Sequence, residues 1–254
     1  MRTSGTHHAS PATAAKALAD YLDDRKSHPE PRAKCEPEQS RMVKVGSLLT
    51  PQRFKFDARL RVTNALTVRE RRRAVGLGKR RPLLLHPGCQ KIRKEGWVNI
   101  DLAGFPVDLR WNLLRPLPFP DDSADAVFHE HLQEHFSLAD GVALTRDFFR
   151  VLKPSGILRI GVPDAGKYLQ GYIDESNPFL ERMRPGSPTR LLAVQDLFYW
   201  PGHRTMYDFE TLALVVMAAG FSRVERRDFG ESALDPVPDS AHREPETLYV
   251  EAVK

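Results

Sequence analysis

The sequence predicts an α/β protein organised around an open, largely parallel sheet. From Pro82 onward, short apolar runs of strand length alternate with longer stretches of helical period, the pattern of strands joined by crossover helices. The clearest helical stretches carry start and stop signals. Glycine, aspartate and histidine gather just after the early apolar runs, where ligands bind in such sheets, beyond the carboxyl ends of the strands.

Seven strands are expected, at Leu83–Leu85, Val98–Ile100, Val107–Leu109, Ala126–Phe128, Ile157–Val162, Arg223–Arg226 and Leu248–Val253. One helix is expected over Ala139–Leu152, burying Phe148, Val151 and Leu152. Another is expected over Phe209–Ala219, opened by Asp208 as an N-cap and closed by Gly220. The predicted domain therefore covers 82–254, preceded by an extension over 1–81.

That extension differs in charge from the predicted domain. Residues 1–81 hold 19 Lys/Arg against 8 Asp/Glu, whereas the remainder holds 19 against 25. A basic arm of this kind suits an anionic partner such as RNA or an acidic glycan; a solvated, partly disordered leader is the plainer reading. Within it, Ala12–Arg25 suggests a short amphipathic helix, His28–Gln39 is rich in proline and charge, and Val43–Leu60 reads as an irregular arm. Arg69, Arg71, Arg72, Arg73, Lys79, Arg80 and Arg81, interrupted by Gly76 and Gly78, read as a flexible basic junction. No stacking aromatic interleaves them, which weakens a nucleic-acid reading.

The bulk composition limits the remaining choices. At 254 residues, 41% hydrophobic and 28% charged, the chain suits a globular core plus an extension. No run of about 18 apolar residues exists to span a membrane, and the first residues lack the apolar core of a secretory signal. A cytoplasmic protein is the expectation. The only cysteines, Cys35 and Cys89, exclude both a disulfide framework and a four-cysteine zinc site.

Four segments are placed to do chemistry. In His86-Pro87-Gly88-Cys89-Gln90, Gly88 permits a tight turn after the first strand. Asp101 ends the second strand, where a carboxylate can accept hydrogen bonds from vicinal ribose hydroxyls. Asn112, beside Leu113, offers an amide and an apolar neighbour of the sort an adenine needs. The fourth segment, His129 to His135, places three histidines in seven residues. His131-Leu132-Gln133-Glu134-His135 formally fits the H-x-x-E-H pattern of zinc peptidases, but it follows a strand and no downstream helix offers an obvious third carboxylate ligand. No metal is expected there.

Together these segments resemble the class I S-adenosylmethionine-dependent methyltransferases, especially predicted bacterial members found near glycan and natural-product genes. The likeness runs through HPGCQ, GWVNID, LPFPDDSADAV, HLQEH, RVLKPSG and ILRIGVPD, and continues into GHRTMYDFETLALVVMAAGF and ETLYVEAVK. It implies a Rossmann-like fold whose seven-stranded, mostly parallel sheet has an antiparallel last strand, and S-adenosylmethionine as cofactor. By resemblance, Gly88 and Cys89 lie against the methionine part, Asp101 holds the ribose, Asn112 and Leu113 meet the adenine, and His129 adjoins them. Two departures stand out: Gln90 replaces the loop's last glycine, and Asn112 replaces an acid.

Methyl transfer needs alignment of an acceptor, exclusion of water and, for a hydroxyl, a base. His131 and His135 are the candidates, with Glu134 as orienting partner and His203 arriving from the tail. Asp164 is either a group on the acceptor side or the N-cap of a helix from Ala165. The stretch Asp174–Pro201, with Phe179, Met183, Phe198, Tyr199 and Trp200, suits a substrate lid, ordinary packing or a dimer contact. Expected partners are a small-molecule or glycan acceptor for O-methylation. The alternatives are a non-catalytic scaffold, or an RNA or protein methyltransferase using the basic arm.

Overall fold

The computed structural model describes residues 6–7, 10–16, 19–20, 61, 67–102, 107–187, 189–199 and 202–254. Cys35, the proline-rich stretch 28–39, the arm 43–60, most of the helix expected over 12–25, and Trp200 and Pro201 lie outside them. Residues 11–16 are helical.

One mixed sheet forms the centre. Its strands are β1 (Thr6–His7), β2 (Leu84–Pro87), β3 (Val98–Asp101), β4 (Leu109–Arg110), β5 (Ala124–Glu130), β6 (Leu152–Pro163), β7 (Val224–Arg227) and β8 (Thr247–Val253). Their spatial order is β1-β7-β8-β6-β5-β2-β3-β4. β4, β3, β2, β5 and β6 run parallel to their neighbours, while β8 inserts antiparallel between β6 and β7. All seven predicted strands are present. The added two-residue β1 pairs antiparallel with β7 at the edge. Strand order reverses between β2 and β5, so their carboxyl ends frame the crevice where such sheets bind ligands.

The helices are α1 (Thr67–Leu77), α2 (Leu138–Val151), α3 (Ala165–Ile173), α4 (Phe179–Met183), α5 (Arg190–Tyr199) and α6 (Phe209–Ala219). Ser137 caps α2 by accepting from Asp140 N–H, and Asp208 caps α6 by accepting from Thr211 N–H. Gly220 ends α6 at φ +128°, a conformation only glycine adopts without strain. α2 and α6 bury Phe148, Val151, Leu212, Val216 and their neighbours with the inner strands in one main core. Asp164 accepts from Lys167 N–H as the N-cap of α3, which settles the structural half of its two readings.

One expectation is corrected. Arg69 and Arg71–Arg73 do not form a flexible junction but ride on α1, which runs through Gly76. Arginine is a good helix former. The helix is docked by the buried Ala74 and by Glu70, whose Oε2 accepts from Arg110 N–H at the sheet edge (3.0 Å).

The aromatic-rich stretch forms a satellite core. Phe179 and Leu180 of α4 pack with Tyr168 of α3 and with Ala193, Val194 and Leu197 of α5. Phe198 and Met183 flank it. Among the described residues, no helix is long and apolar enough to cross a membrane.

Candidate active site

The chain leaves β2 into a turn at Gly88, whose φ is +72°. Its N–H and that of Cys89 both donate to Ile100 O on β3 (2.8 and 3.3 Å). A Cβ at Gly88 would lie 2.6 Å from Leu132 Cδ1 and 2.9 Å from its Cγ. The glycine is therefore required twice, by conformation and by the approach of the histidine-rich segment. Gly88→Ala is expected to lower stability by about 1–3 kcal/mol, read from urea unfolding; an unchanged midpoint would contradict this packing.

Gln90, which stands where the resembling family has glycine, adopts φ +47°, again in the left-handed region. Its N–H donates to Asp101 Oδ2 at 2.8 Å. The end of β3 is thereby tied to the turn after β2, and Asp101 is placed at the carboxyl edge of the sheet. Cys89 is buried, and burial together with Asp101 and Asp108 pushes its thiol up to about 12, which makes it a packing residue and not a nucleophile. Asn112 is half-buried and its Oδ1 accepts from Leu114 N–H (3.0 Å), leaving the NH₂ as what it presents to a ligand.

His129 lies apart from these groups. It is fully buried on β5, its ring against Phe148 at 5.4 Å, and neither ring nitrogen has a hydrogen-bond partner. Burial lowers its pKa to about 3.

His131, Glu134, His135 and His203 do come together. They line one cavity of about 470 Å³ with Gln90, Met183, Arg184, Asp196, Arg243 and Glu246. His131 leaves β5 at φ +51°, and its Nε2 meets Thr247 Oγ1 at 2.9 Å. Glu134 and His135 stand on a single 3-10 turn, Gln133–His135. The carbonyl of Glu134 accepts from Arg204 N–H (2.7 Å) and Thr205 N–H (3.2 Å), and this clamp delivers His203 from the tail. His203 Nδ1 is 2.6 Å from Leu197 O, and since a carbonyl only accepts, Nδ1 carries the proton. Its Nε2 lies 3.9 Å from Glu134 Oε1, and the His135 and His203 rings meet edge to face at 5.0 Å.

Burial sets the charges here. It lowers His131 to about 2 and His203 to about 4, and it lowers His135 as well. It raises Glu134 to about 8, because both carboxylate oxygens are out of water with no hydrogen-bond partner. At pH 7 the cluster holds neutral imidazoles around a largely protonated carboxyl. Arg184, Asp196, Arg243 and Glu246 were not legible as site residues; the last two sit just before β8, and only the fold brings that segment to the cavity.

Residues 91–160 match the family model described as a methyltransferase domain. The matched stretch runs from the loop after β2 to Ile160 on β6, so the likeness to a methyltransferase domain holds over that part of the sheet. Over 81 residues the chain is 36% identical to a protein of Mycolicibacterium smegmatis described as a "Probable S-adenosylmethionine-dependent methyltransferase", an alignment covering 32% of this chain and 31% of that one. The chain thus matches under a third of that relative's length. It also resembles a methyltransferase structure from Archaeoglobus fulgidus (18% identity, 80% of this chain, 100% of the other, TM-score 0.45). A second, from Mesorhizobium loti, gives 16% identity, 68% and 90% coverage and a TM-score of 0.43.

Proposed function

We propose that this chain is a cytoplasmic S-adenosylmethionine-dependent methyltransferase that O-methylates a small-molecule or glycan acceptor held in the His131–His203 cavity. Residues 82–254 form the methyltransferase-like unit, and 1–81 the basic extension suited to an anionic partner. One observation carries the reading. The Gly88–Gln90 turn, at the sheet's switch point, is tied to the Asp101 carboxylate, and Gln90 of that same turn borders a cavity lined by three imidazoles and the buried Glu134 carboxyl.

The residues fit the cofactor. Asp101 is an anionic acceptor at the carboxyl edge for a ribose diol, Asn112 presents an amide, and the left-handed turn at Gly88–Gln90 lets backbone approach a ligand. When bound, S-adenosylmethionine would supply a methyl group on a sulfonium, with the neutral thioether as the leaving group. The chain supplies the rest. Gln90 belongs both to the turn and to the cavity lining, and Arg184 and Arg243 would position polar acceptor groups. His135, half-buried and held below its ordinary pKa by burial, takes the hydroxyl proton, with Glu134 its neighbour on the same turn.

The test is transfer of labelled methyl from S-adenosylmethionine to a panel of hydroxylated small molecules and glycans. Transfer is expected, with kcat reduced about 10²- to 10⁴-fold in His135→Ala and cofactor affinity kept. Cofactor binding with no transfer to any hydroxylated acceptor would contradict the proposed reaction and favour the scaffold reading.

A further inference from the structure

Glu134, His135 and His203 form a group the methyltransferase fold does not require. Among the described residues, these three each bring one ligand atom to within 4.8 Å of the others. Glu134 is 0% exposed, and both its oxygens lack any hydrogen-bond partner. A buried carboxyl with neither oxygen hydrogen-bonded is costly.

The histidines are prepared for a different task. His203 Nδ1 is held by the Leu197 carbonyl, which turns the Nε2 lone pair toward Glu134. His135 also hydrogen-bonds the backbone of Gly202. A backbone carbonyl on the far side of a ligating imidazole is the usual outer shell of a metal site. His131 Nδ1 also stands 3.8 Å from Glu134 Oε1, but His131 is not among the three residues whose ligand atoms all lie within 4.8 Å of one another. The pair that the H-x-x-E-H spacing suggests is thus not the pair the fold assembles.

We propose that Glu134, His135 and His203 bind one divalent transition-metal ion, with zinc the best match to two imidazoles and a carboxylate, and with a further position open to the cavity. Zinc is held by such ligands at about 2.0–2.2 Å, and three protein ligands with an open position are the arrangement of reactive zinc sites. All three residues line the cavity, so the open position faces the acceptor space. A metal there would bind the acceptor oxygen and lower its pKa, and with His135 then a ligand the hydroxyl proton would pass to solvent, in place of the His135 base step. That role rests on the methyltransferase reading; metal binding itself does not.

The experiment is equilibrium dialysis of the full chain against Zn²⁺, and separately against Co²⁺ as a spectroscopic probe, without S-adenosylmethionine. About one ion per chain is expected, with the visible bands of low-symmetry Co²⁺. Affinity should fall at least about 100-fold in both Glu134→Gln and His203→Gln and stay within a few-fold in His131→Gln, with folding checked by circular dichroism. No saturable binding by the folded chain would overturn the site. Equal loss in His131→Gln, or none in the other two variants, would overturn the ligand assignment. Metal binding without methyl transfer would leave the site standing and remove its proposed role.

Discussion

Acidification from pH 6.5 toward pH 4 is expected to unfold the protein steeply. Burial lowers His86 to about 4, His129 to about 3, His131 to about 2 and His203 to about 4, from an ordinary 6.5. Each depressed imidazole contributes stability that is present above pH 6.5 and lost as pH falls, because the unfolded chain takes up the proton first. Glu134 acts in the opposite sense. Its pKa is raised to about 8 from 4.5, so its contribution is present in acid and lost as pH rises toward 8. Near pH 5 four imidazoles outweigh one carboxyl, and unfolding absorbs about three protons, a slope of about 4 kcal/mol per pH unit. Two such units remove about 8 kcal/mol, more than the whole stability of a domain at the lower end of the usual range of about 5–15 kcal/mol. Urea midpoints measured between pH 7 and 4.5 check this. In His129→Phe the slope should fall by about 1.4 kcal/mol per unit; a midpoint that does not move with pH would mean the imidazoles are not buried as described.

Replacing Arg159 is the second large effect. The side chain is fully buried on β6; its Nε and NH2 donate to the two Asp239 oxygens at 2.6 and 2.5 Å, and NH1 donates to Glu231 O at 2.8 Å. Glu251 stands 3.6 Å away, and the guanidinium lies 5.0 Å from the Tyr249 ring centre. Asp239 and Glu251 are themselves nearly inaccessible. Arg159→Met would keep much of the volume but take both guanidinium hydrogen bonds from the buried Asp239 carboxylate, at a cost of about 3–5 kcal/mol. Adding Asp239→Asn should recover part of that loss, because one stranded charge is removed. Urea unfolding of the single and double variants reads both values; a loss under about 1 kcal/mol would show that the network is not closed to water. The consequence reaches the site, since the residue after Asp239, Ser240, donates its N–H to Glu130 Oε1 and opens the turn carrying Arg243 and Glu246.

The sheet was legible because its strands are short apolar runs between turn residues, a local signal. So were α2 and α6, the latter with its Asp208 and Gly220 ends written in the chain itself. α1 was misread because an arginine-rich segment with two glycines carries little apolar period; what holds it, Glu70 on Arg110 N–H, is a contact across 40 residues. The same limit applies at the site. His131, Glu134 and His135 could be singled out from one short segment. Pairing Glu134 with His203 depends on the carbonyl of Glu134 receiving Arg204 and Thr205 N–H, and no spacing rule reports that. Leu197 O, Arg243 and Glu246 reach the cavity only through the tertiary fold. Gln90 was noticed as a departure from glycine, and its positive φ shows the backbone kept a glycine-like turn.

Calorimetric titration of the purified full chain with S-adenosylmethionine, repeated with Asp101→Ala, tests the central claim most directly. Saturable binding is expected at one site per chain, weakened at least about tenfold, or 1.4 kcal/mol, in a variant that still folds. Absence of binding in the folded wild-type chain, or binding that Asp101→Ala leaves unchanged, would contradict it.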